Sequence, residues 1–357
     1  MSVNIFALVI VLGVLIFFHE LGHFLVARLF GVGVEKFSLG FGPRLIGKKI
    51  GITDYIISAI PLGGYVKMVG EQPDADLDPA DIPISFTHKN VWKRILIVAA
   101  GPFFNFLLAV IIFFGIFQLS GMFILEPSIG EVQEDTPAYR GGLKKNDLIT
   151  SINGVEVSTW EEMAKIITAS KGTPLSVSVR RGDSTRVVTI TPESKTFKNI
   201  FNEDVERYVI GISASGDGFS KDLNVFQSLG ESIIQTYHIS VLTLKGVIKI
   251  IQGAISPKTL SGPIMIAQMA GEQAREGATN LIFFIALISI NLAILNFLPI
   301  PVLDGGHLLF FFIEAATGHP VSIRVREIAQ QAGIFVLILL MIYVFYNDIA
   351  RVFFSES

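Results

Sequence analysis

Residues 3–27 read VNIFALVIVLGVLIFFHELGHFLVA, an almost unbroken apolar run that carries His19, Glu20 and His23 near its end. A run of this length as a helix is long enough to cross a bilayer whose hydrocarbon core is about 30 Å thick. A cleaved signal peptide needs a positive region before the apolar run, and no Lys or Arg precedes Arg28. The segment is therefore predicted to be a retained transmembrane helix.

The spacing of the polar residues in this run is HExxH. On a helix, His19 and His23 share a face, so both rings can reach one tetrahedral metal, and Glu20 stands beside the remaining position. Ionisable side chains are costly in hydrocarbon and are functional candidates by default. The pattern predicts a zinc site for peptide hydrolysis at membrane depth.

The composition indicates a membrane protein with a water-soluble part. Hydrophobic residues make up 51% and charged residues 17%, and the mean hydropathy is +0.58. Further predicted spans are residues 95–119, 281–298 and 334–346, which gives about four transmembrane helices. A net charge of -3 argues against nucleic acid as a partner, and the absence of cysteine excludes disulfides, Cys-ligated zinc and a Cys nucleophile.

Basic residues predict the orientation of the chain. Their loops are expected to be cytoplasmic by the positive-inside rule, which places both termini and the long segment between the second and third spans outside the cytoplasm. The basic residues used are Arg28, Lys36, Arg44, Lys48, Lys49, Lys89, Lys93, Arg94, Arg324 and Arg326.

A third metal ligand is predicted at Asp304. Pro299 and Pro301 break the third span, so Asp304 follows on irregular backbone, which at membrane depth implies a polar cavity. Considered alone, an Asp at a helix end is usually a cap. Together with HExxH it is the best candidate for the third zinc ligand.

Residues 129–191 show the order of a small α+β domain. The strand Ile129, Gly130, Glu131 and Val132 precedes a helix start at Thr136-Pro137, and a strand to Ile152, a helix over 159–169 and a hairpin over 175–191 follow. This order resembles a PDZ domain in its circularly permuted bacterial form. The resemblance implies a groove beside residues 129–132 where a peptide or a protein C-terminus adds as a strand. The alternative is a domain of this type with no ligand.

The segment between the first two spans reads as short β elements. Strand-like residues 45–50 and 52–57 lead to a turn and then to Gly63, Gly64, Tyr65 and Val66. At membrane depth such backbone must be paired or line a wet cavity, so a small sheet against the first helix is predicted. One edge is expected to hold substrate backbone in extended form, with a purely structural sheet as the alternative.

Taken together, these motifs resemble the bacterial site-2 proteases of the RseP type, over nearly the whole chain. The motifs are HExxH, Leu303-Asp304-Gly305, Gly63-Gly64-Tyr65, the stretch Gly101-Pro102-Phe103-Phe104-Asn105-Phe106 and the PDZ insert. The resemblance implies zinc held by His19, His23 and Asp304, and Glu20 as general acid and base. It also implies that Asn296 steadies the substrate backbone, with a helix-packing amide as the alternative. One PDZ domain is predicted here, where enteric RseP has two.

The sequence thus predicts a polytopic α-helical membrane protein, with a small membrane-associated β element and an inserted extracytoplasmic PDZ domain, and the resemblance implies the bacterial inner membrane as its location. The resemblance implies zinc-dependent cleavage of pre-truncated single-span proteins, including anti-sigma factors and remnant signal peptides, in regulated intramembrane proteolysis. A catalytically silent PDZ-bearing scaffold and a metal transporter are the alternatives. The predicted divisions are transmembrane helix 1 (1–31), a cytoplasmic β region (32–90), transmembrane helix 2 (91–120), the PDZ domain (121–215), an amphipathic juxtamembrane segment (216–280), transmembrane helix 3 (281–307), a cytoplasmic loop (308–332) and transmembrane helix 4 (333–354).

Overall fold

The computed structural model describes residues 2–72, 77–201 and 203–354. Parts of three predicted divisions, at residue 1, residues 73–76 and residue 202, lie outside the described residues. The chain forms two compact units. The first comprises residues 1–115, 229–248 and 256–357, and the second comprises residues 116–228 and 249–255.

The helices of the described chain are α1 (Ser2–Leu29), α2 (Val91–Ser120), α3 (Pro137–Arg140), α4 (Trp160–Ala169), α5 (Val225–Ile251), α6 (Pro263–Glu276), α7 (Ala278–Phe297), α8 (Asp304–Thr317) and α9 (Ile323–Phe354). Its strands are β1 (Val34–Ile50), β2 (Thr53–Met68), β3 (Met122–Leu125), β4 (Ile129–Val132), β5 (Leu148–Ile152), β6 (Val155–Glu156), β7 (Leu175–Arg181), β8 (Ser184–Ile190), β9 (Glu193–Lys198), β10 (Asp204–Val209), β11 (Ile212–Ala214) and β12 (Gly218–Lys221).

Within the described residues, four helices are long and apolar enough to cross a membrane, as predicted. They are α1, α2, α7 and α9. Helix α9 begins well before the predicted apolar segment 334–346, because hydrophobicity marks only the part suited to hydrocarbon, while helical hydrogen bonding continues into polar flanks. Of the most apolar 18-residue stretch of each helix, 11% of the residues are buried in α9 and 44% in α2. Helix α2 is thus the central element of the first unit and α9 a peripheral one.

The sheet of β1 and β2 belongs to the first unit, and its strands are long and bent. Phe37 of β1 lies opposite both Val66 and Tyr55 of β2, so the first part of β1 is flanked on both sides. Residues 54–57 also pair with residues 46–49. Residues 64–67 are therefore at an outer edge of the sheet, as the sequence predicts for one edge. The sheet packs on α1 through a buried cluster that includes Val34, Phe37 and Val66.

The second unit follows the predicted order of elements from residue 129 onward. Thr159 caps α4 in a capping box with Glu162, whose carboxylate accepts from the Thr159 backbone. Strands β6, β5, β7 and β8 form one sheet, and β4 pairs with β11. Its core is a single cluster of fully buried apolar side chains, among them Ile129, Ile149, Ile152, Met163, Val177, Val179 and Ile190.

Helix α5 lies in the segment that the sequence predicts to be amphipathic. Ser232 and Thr236 are buried, whereas Ile233 and Tyr237 are 52% and 64% exposed. The hydroxyls of Ser232 and Thr236 donate to carbonyls of the preceding turn, which satisfies them without an outside partner. The apolar face of α5 is thus the exposed one, which suits contact with lipid.

Candidate metal centre and active site

Helix α1 presents His19 and His23 on one face, one turn apart. Their Nε2 atoms are 3.3 Å from each other. His23 is 8% exposed and Glu20, between them in sequence, is also 8% exposed. The HExxH pattern therefore lies in a largely dry part of the first unit.

Asp304 reaches the same point from the start of α8. The chain leaves α7 at Phe297, turns through Pro299 and Pro301, and re-enters a helix at Asp304. Gly305 and Gly306 permit this path, because a Cβ at either position would overlap the backbone of the preceding turn, at Leu298 or Ile300. The Asp304 carboxylate lies 3.2 Å from His19 Nε2 and 3.6 Å from His23 Nε2.

These three side chains fit zinc. In a tetrahedral shell with bonds of about 2.0–2.1 Å, neighbouring ligand atoms are separated by roughly 3.3 Å. His19 Nε2 lies 3.3 Å from His23 Nε2 and 3.2 Å from Asp304 Oδ2, while His23 Nε2 lies 3.6 Å from the other carboxylate oxygen, Asp304 Oδ1. Two imidazole nitrogens and one carboxylate oxygen are also the donor types that catalytic zinc prefers, with the fourth position open. In the described part of the chain, His19, His23 and Asp304 are the group of His, Cys, Asp or Glu residues able to hold a metal ion.

One predicted edge residue, Gly64, lies directly beside Glu20. A Cβ built on Gly64 would stand 2.9 Å from Glu20 Cγ and 2.8 Å from Ile16 Cγ2, so this edge can approach α1 only with glycine. Gly63 has a φ of 143°, which is the conformation that favours glycine. Tyr65 stacks on Phe41 with centroids 6.2 Å apart, and Val66 points into the core.

Helix α2 supplies contacts that the sequence analysis missed. His23 Nδ1 lies 2.9 Å from the Ile97 carbonyl, and the Asn105 side-chain amide lies 3.3 Å from His19 Nδ1. Between these two residues, a Cβ on Gly101 would overlap the ring of His23. Asn105 belongs to the stretch 101–106 of the sequence analysis, where no function was predicted for it. The signal that could have revealed it is a polar side chain inside an apolar span.

Asn296, predicted to contact substrate, is half-buried near the end of α7. In the described residues its side chain makes no hydrogen bond. Asn291, one turn earlier, accepts from Thr243 Oγ1 at 2.8 Å and so has the packing role that was the alternative for Asn296. His307, three residues after Asp304, is half-buried.

Strand addition of a peptide is predicted beside Ile129, Gly130, Glu131 and Val132. These residues form β4, and one edge of β4 is already paired with β11. At the other edge, Ile129 accepts from the Asn146 amide and donates to the Asp147 carbonyl. At this second edge the bonds are made by Ile129, and strand addition beside residues 129–132 stays a prediction. Strand pairing across 80 residues is not visible in the local pattern of either strand.

The comparisons with known proteins identify the family of this chain. The profile of Peptidase family M50 matches residues 7–340. A protein of Campylobacter jejuni described as a zinc metalloprotease is 38% identical over 354 residues, covering 98% of this chain and 94% of that protein. Zinc metalloprotease RasP of Geobacillus kaustophilus is 32% identical and covers 98% of each chain.

Among solved structures, the PDZ domain of an SdrC-like protein from Listeria monocytogenes covers 27% of this chain and 87% of its own, at 22% identity and a TM-score of 0.19. The family assignment rests on the profile and on the two metalloproteases. The chain belongs to Peptidase family M50, the site-2 proteases, and is a zinc-dependent metalloendopeptidase with apolar helices suited to a membrane.

Proposed function

We propose that this chain cleaves transmembrane segments of single-span proteins, with His19, His23 and Asp304 as the zinc ligands. The observation that carries the proposal is the convergence of two imidazole Nε2 atoms, 3.3 Å apart, on the Asp304 carboxylate, whose two oxygens lie 3.2 Å and 3.6 Å from them. His19 and His23 lie on the apolar helix α1, and Asp304 begins α8, which follows the apolar helix α7. When bound, zinc supplies a Lewis acid that polarises the scissile carbonyl and activates water for attack.

Glu20 is the proposed general acid and base. Its carboxylate lies beside the two histidines and next to Gly64, where a substrate backbone at the sheet edge would lie. It takes a proton from the attacking water and later delivers it to the leaving amine. Its low exposure keeps bulk water away from the proton in transit.

We further propose that substrate binds in extended form along residues 64–67. A helix buries its amides in internal hydrogen bonds, so a scissile carbonyl must be unwound before attack. In hydrocarbon each freed backbone group costs several kcal/mol unless another group satisfies it. The outer edge of β2 offers such groups next to Glu20, and Asn296 is the proposed donor to substrate backbone from α7.

The cellular setting is part of the proposal. The basic residues near the ends of α1, α2 and α9 favour cytoplasmic placement of the β1–β2 sheet and of α8. Both termini and the second unit would then be extracytoplasmic, in an inner-membrane protein with the divisions predicted from the sequence. Pre-truncated anti-sigma factors and remnant signal peptides are the proposed substrates, and residues 129–132 of β4 are the proposed site for a peptide or protein C-terminus.

A comparison of three proteins tests this function: the wild type, Glu20→Gln and His23→Ala, each purified as the full chain. Cleavage of a model single-span substrate in proteoliposomes and zinc content are measured on the same samples. Wild type should cleave and hold about one zinc per chain. Glu20→Gln should hold zinc without cleaving, and His23→Ala should do neither. Native-rate cleavage by Glu20→Gln would refute the assignment of Glu20, and a wild type that binds partners but never cleaves would favour the scaffold.

A further inference from the structure

The imidazole rings of His19 and His23 have the same orientation relative to their neighbours. Each turns Nε2 toward Asp304 and Nδ1 toward α2. A neutral histidine that binds a metal through Nε2 carries its proton on Nδ1, and that proton is normally donated to an acceptor that orients the ring. For His23 the acceptor is the Ile97 carbonyl at 2.9 Å. His19 needs an acceptor of its own.

The group opposite His19 Nδ1 is the side-chain amide of Asn105, with its nitrogen placed 3.3 Å away. In that orientation two donors would face each other whenever His19 carries its proton on Nδ1. The nitrogen and oxygen of an amide have nearly the same shape, so their placement is decided by hydrogen bonding. As placed, Asn105 Oδ1 is buried without a partner, and a rotated amide would leave the nitrogen there. One atom is unpaired in either case, so the proton on His19 decides the orientation.

The surroundings of Asn105 hold it in place. Its side chain is fully buried, and its backbone carbonyl accepts from Ser289 Oγ of α7 at 2.7 Å. One turn earlier, Gly101 leaves the room that the two imidazoles occupy. Ile97, Gly101 and Asn105 therefore form one stripe of α2, spaced four residues apart, that faces the histidines.

We propose that Asn105 is a positioning residue for His19. Its amide oxygen accepts the Nδ1 proton and so fixes the ring orientation and the tautomer in which Nε2 binds zinc. The inference rests on the proposed ligand role of His19. Removal of an acceptor of this kind typically lowers metal affinity 10- to 100-fold.

The test is zinc affinity, measured by competition with a chromophoric chelator on the detergent-solubilised full chain. Asn105→Leu removes the acceptor at similar volume, and Asn105→Asp keeps an acceptor but cannot donate when ionised. Asn291→Leu is the matched control, since it is the same change on α7 at an amide bonded to Thr243. We expect Asn105→Leu to lose zinc affinity about 10- to 100-fold, and Asn105→Asp and Asn291→Leu to stay within about threefold of wild type. The visible spectrum of the cobalt-substituted protein should change only in Asn105→Leu.

Three results would overturn the proposal. The first is wild-type zinc affinity in Asn105→Leu, and the second is an equal loss of zinc affinity in Asn105→Leu and Asn291→Leu. The third is a large loss of zinc affinity in Asn105→Asp. If Asn105→Leu does not fold, the zinc affinity of Asn105→Asp decides the question. His23→Ala separates this proposal from the ligand assignment. If His23→Ala also kept wild-type affinity, the ligand set itself would be wrong.

Discussion

Gly101→Ala is the substitution whose effect follows most directly from the packing of α1 against α2. The added Cβ would stand 2.5 Å from His23 Cε1 and 2.9 Å from His19 Cε1. Carbon atoms in contact prefer about 3.5–4.0 Å, so the His23 ring would have to move by about 1 Å. Neither ring can move away freely, because His23 is held by the Ile97 carbonyl and His19 by Asn105.

Zinc sites tolerate ligand displacements of only about 0.2 Å. Gly101→Ala should therefore lower zinc affinity at least about tenfold and lower cleavage with it. The matched control is Gly115→Ala on the same helix, where a Cβ meets nothing within 4 Å. A glycine-to-alanine change in an open helix position is neutral or stabilising by about 0.5–1 kcal/mol. The assay is zinc content after dialysis against a chelator, together with cleavage of a model transmembrane substrate. One zinc per chain and native cleavage in Gly101→Ala would refute the packing argument.

Three further predictions follow from other parts of the structure. Gly64→Ala should slow cleavage about tenfold or more while zinc stays bound, because its Cβ would press on Glu20 and displace the catalytic carboxylate; equal rates for the two proteins would show that this edge is not at the reaction centre. Helix-breaking residues in the substrate span should speed cleavage, measured as rates for a Gly and Pro series in one substrate, and indifference to the series would contradict binding in extended form. Asp147→Asn should destabilise the second unit by about 2 kcal/mol, because buried Asp147 pairs with Arg181 at 2.6 Å and 2.7 Å; hydrogen exchange of β5 and β7 in the full chain measures it. Burial alone would raise the pKa of Asp147, but the Arg181 hydrogen bonds hold it below its ordinary value. The stabilisation that ionised Asp147 gives the second unit is therefore fully present above the unfolded pKa of about 3.9 and is lost as the pH falls through the lower folded pKa. Wild type and Asp147→Asn should then have the same stability in acid.

Local signals in the sequence were sufficient for the elements whose causes are local. The four long helices follow from apolar length, and α4 begins where Thr159 and Glu162 form a capping box. His19 and His23 could be placed together because a helix turn relates them. Asp304 could be added because two prolines end the preceding apolar helix before it.

Features that depend on distant partners could not be predicted in the same way. The two-sided pairing of β1 depends on which parts of a bent β2 return to it, and the pairing of β4 with β11 joins residues far apart in sequence. The burial of the hydroxyl-bearing face of α5 could not be predicted, because the Ser and Thr hydroxyls donate to carbonyls of the preceding turn and need no partner from another element. Asn105 acquires its role only when α2 crosses α1, and no local pattern reports that crossing.

His19, His23 and Asp304 are proposed to hold one zinc ion. Zinc K-edge X-ray absorption on the full chain tests it most directly, with Asp304→Ala as the comparison. We expect a four-coordinate shell with two imidazoles at about 2.0–2.1 Å and oxygen ligands completing it, and a changed shell or lost zinc in Asp304→Ala. A spectrum without imidazole scattering, or one that Asp304→Ala leaves unchanged, would contradict it.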